Sequence, residues 1–233
     1  MSRRPQQRSS NRTWVIVGIL AVIVAVAVVV AVAAGGGDDS DSGSGGGGNG
    51  SAVEVAPVSV TGTALPPFPE SGTDRAIGET IPTLTGTSLF DGADMTIEPT
   101  GTPQIVIFLA HWCPHCQAEV PRIVDVANDG KLDGVDVSAV ATGTRSNQAN
   151  YPPSAWLEDE DWPYPTMADS STFTAAQAYG LTSYPYFVFI DGSGQVVARS
   201  IGEVSSDDLT EAVNALKAGE PVDIGTGSSS SAR

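Results

Sequence analysis

A run of mostly apolar, β-prone residues, Gln104-Ile105-Val106-Ile107-Phe108-Leu109-Ala110, ends directly on His111-Trp112-Cys113-Pro114-His115-Cys116. A helix-like segment, Gln117-Ala118-Glu119-Val120, follows at once. This junction constrains the fold more than any other feature, because a strand must hand over to a helix within the span of the motif. Those six residues contain both cysteines and both histidines of the chain. All thiol chemistry and all titration near neutrality are therefore confined to the start of one helix.

Two cysteines three apart close a very short loop when oxidised, so a disulfide there constrains the unfolded chain little and makes a poor staple. The spacing suits a switch instead. One thiolate attacks an external disulfide, and the other resolves the mixed disulfide from inside. Cys113, at the helix start, faces unpaired backbone N–H groups and the positive end of the helix dipole, which favour its thiolate. Cys116, one turn further in, is expected to be shielded and to act second. His115 can place positive charge beside the Cys113 thiolate, stabilising the reduced form and making the disulfide a stronger oxidant; the alternative is an ordinary exposed histidine. A Cys₂His₂ metal site needs ligands that converge tetrahedrally, usually from two separated segments, and four candidates within six residues of a strand–helix turn do not easily do so. The expected metal ligands and cofactors are therefore none.

Charge narrows the partners. The chain holds 11 Lys and Arg against 27 Asp and Glu, and Arg3, Arg4, Arg8 and Arg12 all precede the first acid, Asp38. An acidic surface of this kind repels nucleic acid and anionic headgroups, which excludes a nucleic-acid role. Residues 1–13 read as a basic cytoplasmic tail. Residues 14–34 carry no charge and, as a helix, span about 31 Å, enough for a hydrocarbon core of about 30 Å. Arginines before this span and acids after it put the N-terminus in the cytoplasm and the remainder outside. Cleavage as a signal peptide at Ala31-Val32-Ala33 is the alternative, and either way the rest of the chain is exported. Residues 35–75 read as a flexible, then extended, Gly/Ser/Asp- and Pro-rich linker.

From residue 76 the pattern alternates. Ile81–Gly86 and Met95–Ile97 read as a hairpin, 104–110 as a strand, and the segment from the motif to about Ala127 as a helix stopped by Asn128-Asp129-Gly130. Val135–Ala141 is a second strong strand, and a short helix starts at Pro152-Pro153. Glu158-Asp159-Glu160-Asp161 is a charge run that reads as a solvated face. Ser171–Tyr179 reads as a helix, Tyr186–Ile190 and Gln195–Ser200 as strands around Asp191-Gly192-Ser193-Gly194, and Ser206–Lys217 as an amphipathic helix with an N-cap. The expectation is an α/β domain over residues 76–219 with a mixed central sheet flanked by helices, and a disordered tail over 220–233.

Several features in register resemble the thioredoxin fold, specifically the membrane-anchored TlpA/ResA-like thiol-disulfide oxidoreductases. They are the strand before Trp112-Cys113-Pro114-His115-Cys116, Glu119 and Pro121 in the next helix, Tyr179-Gly180-Leu181, Tyr184-Pro185 before an apolar strand, and Phe189-Ile190-Asp191 with Gly194. The resemblance implies a thioredoxin-like fold in which Cys113 attacks and Cys116 resolves. It further implies that Pro185 is a cis-proline beside the active site, that Tyr184 and Trp112 contact substrate, and that Pro121 kinks the active-site helix. Glu119 matches a buried acid that exchanges protons with the resolving thiol; the alternative is a solvated helix acid. Ile107 stands where cytoplasmic thioredoxins carry a buried Asp, which leaves Glu119 as the proton acceptor. His111 either adds positive charge near Cys113 or stands exposed. Pro114-His115 is the dipeptide of strongly oxidising DsbA-like proteins.

These readings converge on a single-pass, cell-membrane protein with an extracytoplasmic thiol-disulfide oxidoreductase domain that leans towards oxidising exported protein thiols. Its expected partners are exported proteins with thiols or disulfides, a redox partner, and the membrane through the N-terminal helix. The alternatives are a disulfide reductase, for example in cytochrome c maturation, and a copper-binding chaperone on the same fold.

Overall fold

Strand β4 (Gln104–Leu109) is buried along its whole length because it lies in the interior of the sheet and both of its faces are covered. A computed structural model describes residues 51–224, and the proposed basic tail, the membrane helix, residues 35–50 of the linker and residues 225–233 of the C-terminal tail lie outside them. Parallel to β4 runs β5 (Asp136–Ala141), and antiparallel on its other side runs β7 (Tyr186–Ile190), so that Ile107 sits between Ala139 and Phe187. The remaining strands are β1 (Ser59–Thr61), β2 (Thr83–Ser88), β3 (Asp94–Ile97), β6 (Thr166–Ala168) and β8 (Val196–Ile201). Sheet order is β1-β2-β6-β5-β4-β7-β8, with β3 also paired to β2. The helices are α1 (Pro114–Asn128), α2 (Pro153–Asp159), α3 (Thr174–Ala178) and α4 (Ser206–Ala218). The mixed sheet expected from the sequence is present.

Alternation along β4 and β7 divides the core into two layers. Ile105, Ile107, Leu109, Phe187 and Phe189 pack with residues of α1, α2 and α4, whereas Val106, Phe108, Tyr186, Val188 and Ile190 pack with α3 and Tyr179. Helix α1 buries Cys116, Glu119, Val120, Ile123 and Val124, a stripe at helical spacing, and carries Pro121 inside it. Pro114 occupies the first turn, where a missing N–H costs nothing. Helix α4 starts at Ser206, as the sequence predicts, and is capped by Ser205, whose hydroxyl accepts the Asp208 N–H at 3.1 Å.

Three sequence readings are corrected. The stretch 53–75 is extended but is no free linker. It contributes β1, buries Ala56 and Leu65, and ties Asp74 to the buried Arg199, whose Nε lies 2.7 Å from the carboxylate. Its path presses Pro66 against Gly180, where a Cβ would come within 2.3 Å of the Pro66 carbonyl oxygen; φ there is +72°. The folded unit therefore begins near residue 53, and at the other end Ile224 is buried in the core, beyond the expected boundary at 219. Residues 166–168 form a strand that the sequence did not announce. The third correction is α3, which is shorter than 171–179 because Phe173, with φ of 61°, precedes it in the left-handed region. Among the described residues no helix is long and apolar enough to cross a membrane.

Candidate active site

The end of β4 delivers the motif to the start of α1. Cys113 is the N-cap residue of that helix, with φ −78° and ψ 120°, and both cysteines are free thiols. Cys113 is 7 % exposed and Cys116 is fully buried, so an incoming sulfur meets Cys113 first. The Cys116 Sγ accepts the Ala110 N–H at 3.5 Å. Burial pushes the Cys116 thiol far above its ordinary value, and Cys113 and Glu119 add to the shift.

One turn along, Glu119 is fully buried, which rules out the solvated-acid reading. Burial pushes its carboxyl up to about 7 against the opposing pull of Arg122 and the Val204 N–H, with Glu203 adding to the rise. Its Oε1 and Oε2 accept the Val204 N–H at 3.2 and 3.3 Å, and Arg122 Nη1 donates to Oε2. Arg122 also donates from Nη2 to Glu203 Oε2 at 3.1 Å, and the other oxygen of Glu203 lies 2.8 Å from His115 Nδ1. A chain of hydrogen-bonded side chains, His115–Glu203–Arg122–Glu119, thus runs from the surface to the buried face of α1. His115 and Arg122 hold the Glu203 carboxyl below its usual range.

The two histidines divide. His115 is exposed and turned onto Glu203. His111 is buried, and both alternatives read from the sequence give way, since it is neither exposed nor a source of positive charge. Its Nε2 accepts the Arg145 N–H at 3.1 Å, and because that group can only donate, Nδ1 carries the proton and donates to the Ala149 carbonyl at 2.6 Å. Burial holds the ring below its ordinary value, hence neutral. With both ring nitrogens spent on the backbone, His111 cannot join the cysteines around a metal.

His111 pins a loop that shapes the rim. From that loop the Gly143 carbonyl accepts the Trp112 indole N–H at 2.8 Å, and the Arg145 guanidinium lies 4.5 Å over the Trp112 ring. The Tyr184 ring meets Trp112 edge-on at 5.8 Å, and the Tyr184–Pro185 peptide bond is cis. Gly143, with φ of +66°, lets this cluster close; a Cβ there would stand 3.0 Å from the Tyr184 hydroxyl. Cys113, Cys116, His115, Glu119, Trp112, Tyr184 and Pro185 are all brought to this one corner of the domain. Sequence reading missed Glu203 and Arg122. The i,i+3 spacing of Glu119 and Arg122 on one helix could have marked Arg122, whereas nothing in spacing marks Glu203, which lies 88 residues from its partner His115.

A thiol at a helix N-terminus with a small exposed edge, a fully buried thiol behind it, and a buried carboxyl within one turn can carry out thiol–disulfide exchange with internal proton transfer. The family model described as Redoxin matches residues 76–216. The chain belongs to the Redoxin family. This Redoxin domain is similar to the thiol:disulfide interchange protein HelX of Rhodobacter capsulatus, at 25 % identity over 51 % of this chain and 63 % of that protein. The chain therefore spans less than two thirds of HelX. A thiol:disulfide interchange protein DsbE homolog of Paracoccus denitrificans is 26 % identical over 61 % of this chain and 75 % of its own. Among solved structures, a thioredoxin-family thiol:disulfide interchange protein from Chlorobium tepidum matches 60 % of this chain and 97 % of its own, with TM-score 0.51 and 24 % identity. The fold is thioredoxin-like.

Proposed function

We propose that this Redoxin domain is an extracytoplasmic thiol-disulfide oxidoreductase that reduces disulfides of exported proteins, tethered to the cell membrane through residues 14–34. The observation that carries the chemistry is the pairing of the fully buried Cys116 with the fully buried Glu119 one turn away, behind a Cys113 at the helix start. In the first step the Cys113 thiolate attacks one sulfur of a client disulfide. The client S–S bond breaks, a mixed disulfide with Cys113 forms, and the other client sulfur leaves as a thiolate and takes up a proton. In the second step the Cys116 thiol gives its proton to the Glu119 carboxylate and attacks Cys113 Sγ, expelling the second client thiolate. Two electrons have passed to the client, and a redox partner restores the Cys113–Cys116 dithiol. Trp112, Tyr184 and Pro185 form the rim against which the client backbone rests.

His115 supports the reducing direction. Positive charge left free beside Cys113 favours an oxidising site, and here the imidazole is committed to Glu203 at 2.8 Å. Donation of disulfides is the second reading, favoured by the Pro114-His115 dipeptide itself. Equilibration of the full chain with glutathione buffers decides between them. Reduction predicts a potential near the thioredoxin value of about −270 mV, and a value near the roughly −120 mV of DsbA, with disulfide transfer to reduced clients, would establish donation instead.

A further inference from the structure

Glu203 enters the site from the turn after β8, and its two oxygens serve two different side chains, an imidazole and a guanidinium. Oε1 lies 2.8 Å from His115 Nδ1 and Oε2 lies 3.1 Å from Arg122 Nη2. Arg122 is divided in the same way, with Nη1 on Glu119 and on the Val204 carbonyl oxygen at 3.2 Å. His115, Arg122 and Glu203 line one cleft together with Tyr184. We propose that Glu203 lowers the reduction potential of the Cys113–Cys116 pair: it holds the His115 imidazole and the Arg122 guanidinium on one carboxylate and so makes a site with a Pro114-His115 dipeptide more reducing than it is without that carboxylate. The inference rests on the thiol-disulfide reading above.

The physical reason is the thiolate. Each uncompensated positive charge near Cys113 stabilises its thiolate, hence the reduced form, hence a disulfide that oxidises other thiols more strongly. A cation whose nitrogen is held by a carboxylate brings its own compensation. Glu203 carries two such contacts, so one residue holds two side chains of α1, the His115 imidazole and the Arg122 guanidinium. Without it, the His115 imidazole and the Arg122 guanidinium lose the carboxylate they share. Among the described residues Arg122 then keeps only Glu119 and the Val204 carbonyl as partners, which makes Glu119 a weaker base towards Cys116. The half-reaction concerned is balanced as the disulfide plus two glutathione thiols going to the dithiol plus glutathione disulfide, with two electrons transferred.

The test is the equilibrium of the full chain in glutathione buffers at pH 7, read by thiol alkylation. Glu203→Gln is expected to shift the equilibrium towards the dithiol three- to tenfold, about 15–30 mV more oxidising for this two-electron couple. Glu203→Asp, which keeps the charge, is expected to stay closer to wild type. In a His115→Ala background the shift caused by Glu203→Gln is expected to shrink. An unmoved equilibrium in Glu203→Gln, a shift towards the disulfide, or an equal shift in Glu203→Asp would each overturn the proposal, the last because it would mark a loss of packing rather than of charge. If wild-type Cys113 and Cys116 do not cycle reversibly at all, the oxidoreductase reading fails and this proposal with it; a cycling wild type with an unmoved Glu203→Gln overturns this proposal alone.

Discussion

His111 and His115 are four residues apart in one motif, yet the fold gives them opposite tasks. His111 is buried, neutral and bonded at both ring nitrogens to the backbone of the loop that holds Gly143 and Arg145. His115 is exposed, reaches a carboxylate and packs little. The first is architecture and the second is electrostatics. The same division runs through the whole site: Cys116 and Glu119 sit in a dry layer where burial dictates their protonation, whereas His115 and Glu203 sit where water and partners set it. Chemistry that needs a raised pKa is kept in the first set, and adjustment of potential falls to the second.

The largest expected effect probes the buried set. Glu119→Gln removes the proton acceptor and is expected to slow release of client from the mixed disulfide by about 10²-fold, measured by stopped-flow after single turnover. The wild-type rate of that step is expected to fall as pH drops through about 7, where Glu119 becomes protonated, and the variant is expected to lose this limb. An unchanged profile would move the proton acceptor elsewhere.

Stability against pH gives the next effect. The Glu119 carboxyl is raised in the folded state from an ordinary value of 4.5 to about 7, so both states hold its proton below 4.5 and the folded state pays increasingly as pH rises from 4.5 through 7. Over that window the residue is expected to remove on the order of 3 kcal/mol from wild type. The melting temperature of Glu119→Gln relative to wild type is therefore expected to climb between pH 5 and pH 8. His111 has the opposite sign. Its ring is held below the ordinary 6.5, so the stability it contributes is present above that value and is lost as pH falls through the folded value.

The two histidines themselves set the smaller effects. His111→Ala leaves the Ala149 carbonyl and the Arg145 N–H without partners and opens a void, at a cost of about 2–3 kcal/mol. In a domain of this size that corresponds to roughly 5–10 °C in melting temperature, with earlier proteolysis in the loop around 142–150. His115→Ala is expected to change stability by no more than about 0.5 kcal/mol. Equal losses in the two variants would collapse the distinction between them.

Much of this site was legible as a linear pattern because its core is local. Cys113, Cys116 and Glu119 follow one another on the first two turns of a single helix, where spacing translates directly into position. The strand before them and the Tyr184-Pro185 pair before β7 stand out by the same local logic. What escaped is non-local or context-dependent. The three-residue β6 is too short to show a period and exists because β5 and β2 offer it hydrogen-bonding edges. The lead-in from 53 to 75 has a linker's composition but is held by contacts with Arg199 and Gly180 more than a hundred residues away.

The sequence by itself determined that two thiols would stand at the mouth of a helix with a carboxyl one turn behind, since strand, motif and helix are contiguous and geometry within a helix is set by count. Only the tertiary structure decided the charge state around them. It buried Glu119 and His111, and it brought Glu203 from the far end of β8 to divide itself between His115 and Arg122. Burial and pairing are properties of neighbours in space, and it is these, rather than the identity of the residues between the cysteines, that set the protonation of Glu119 and the charge left free beside Cys113.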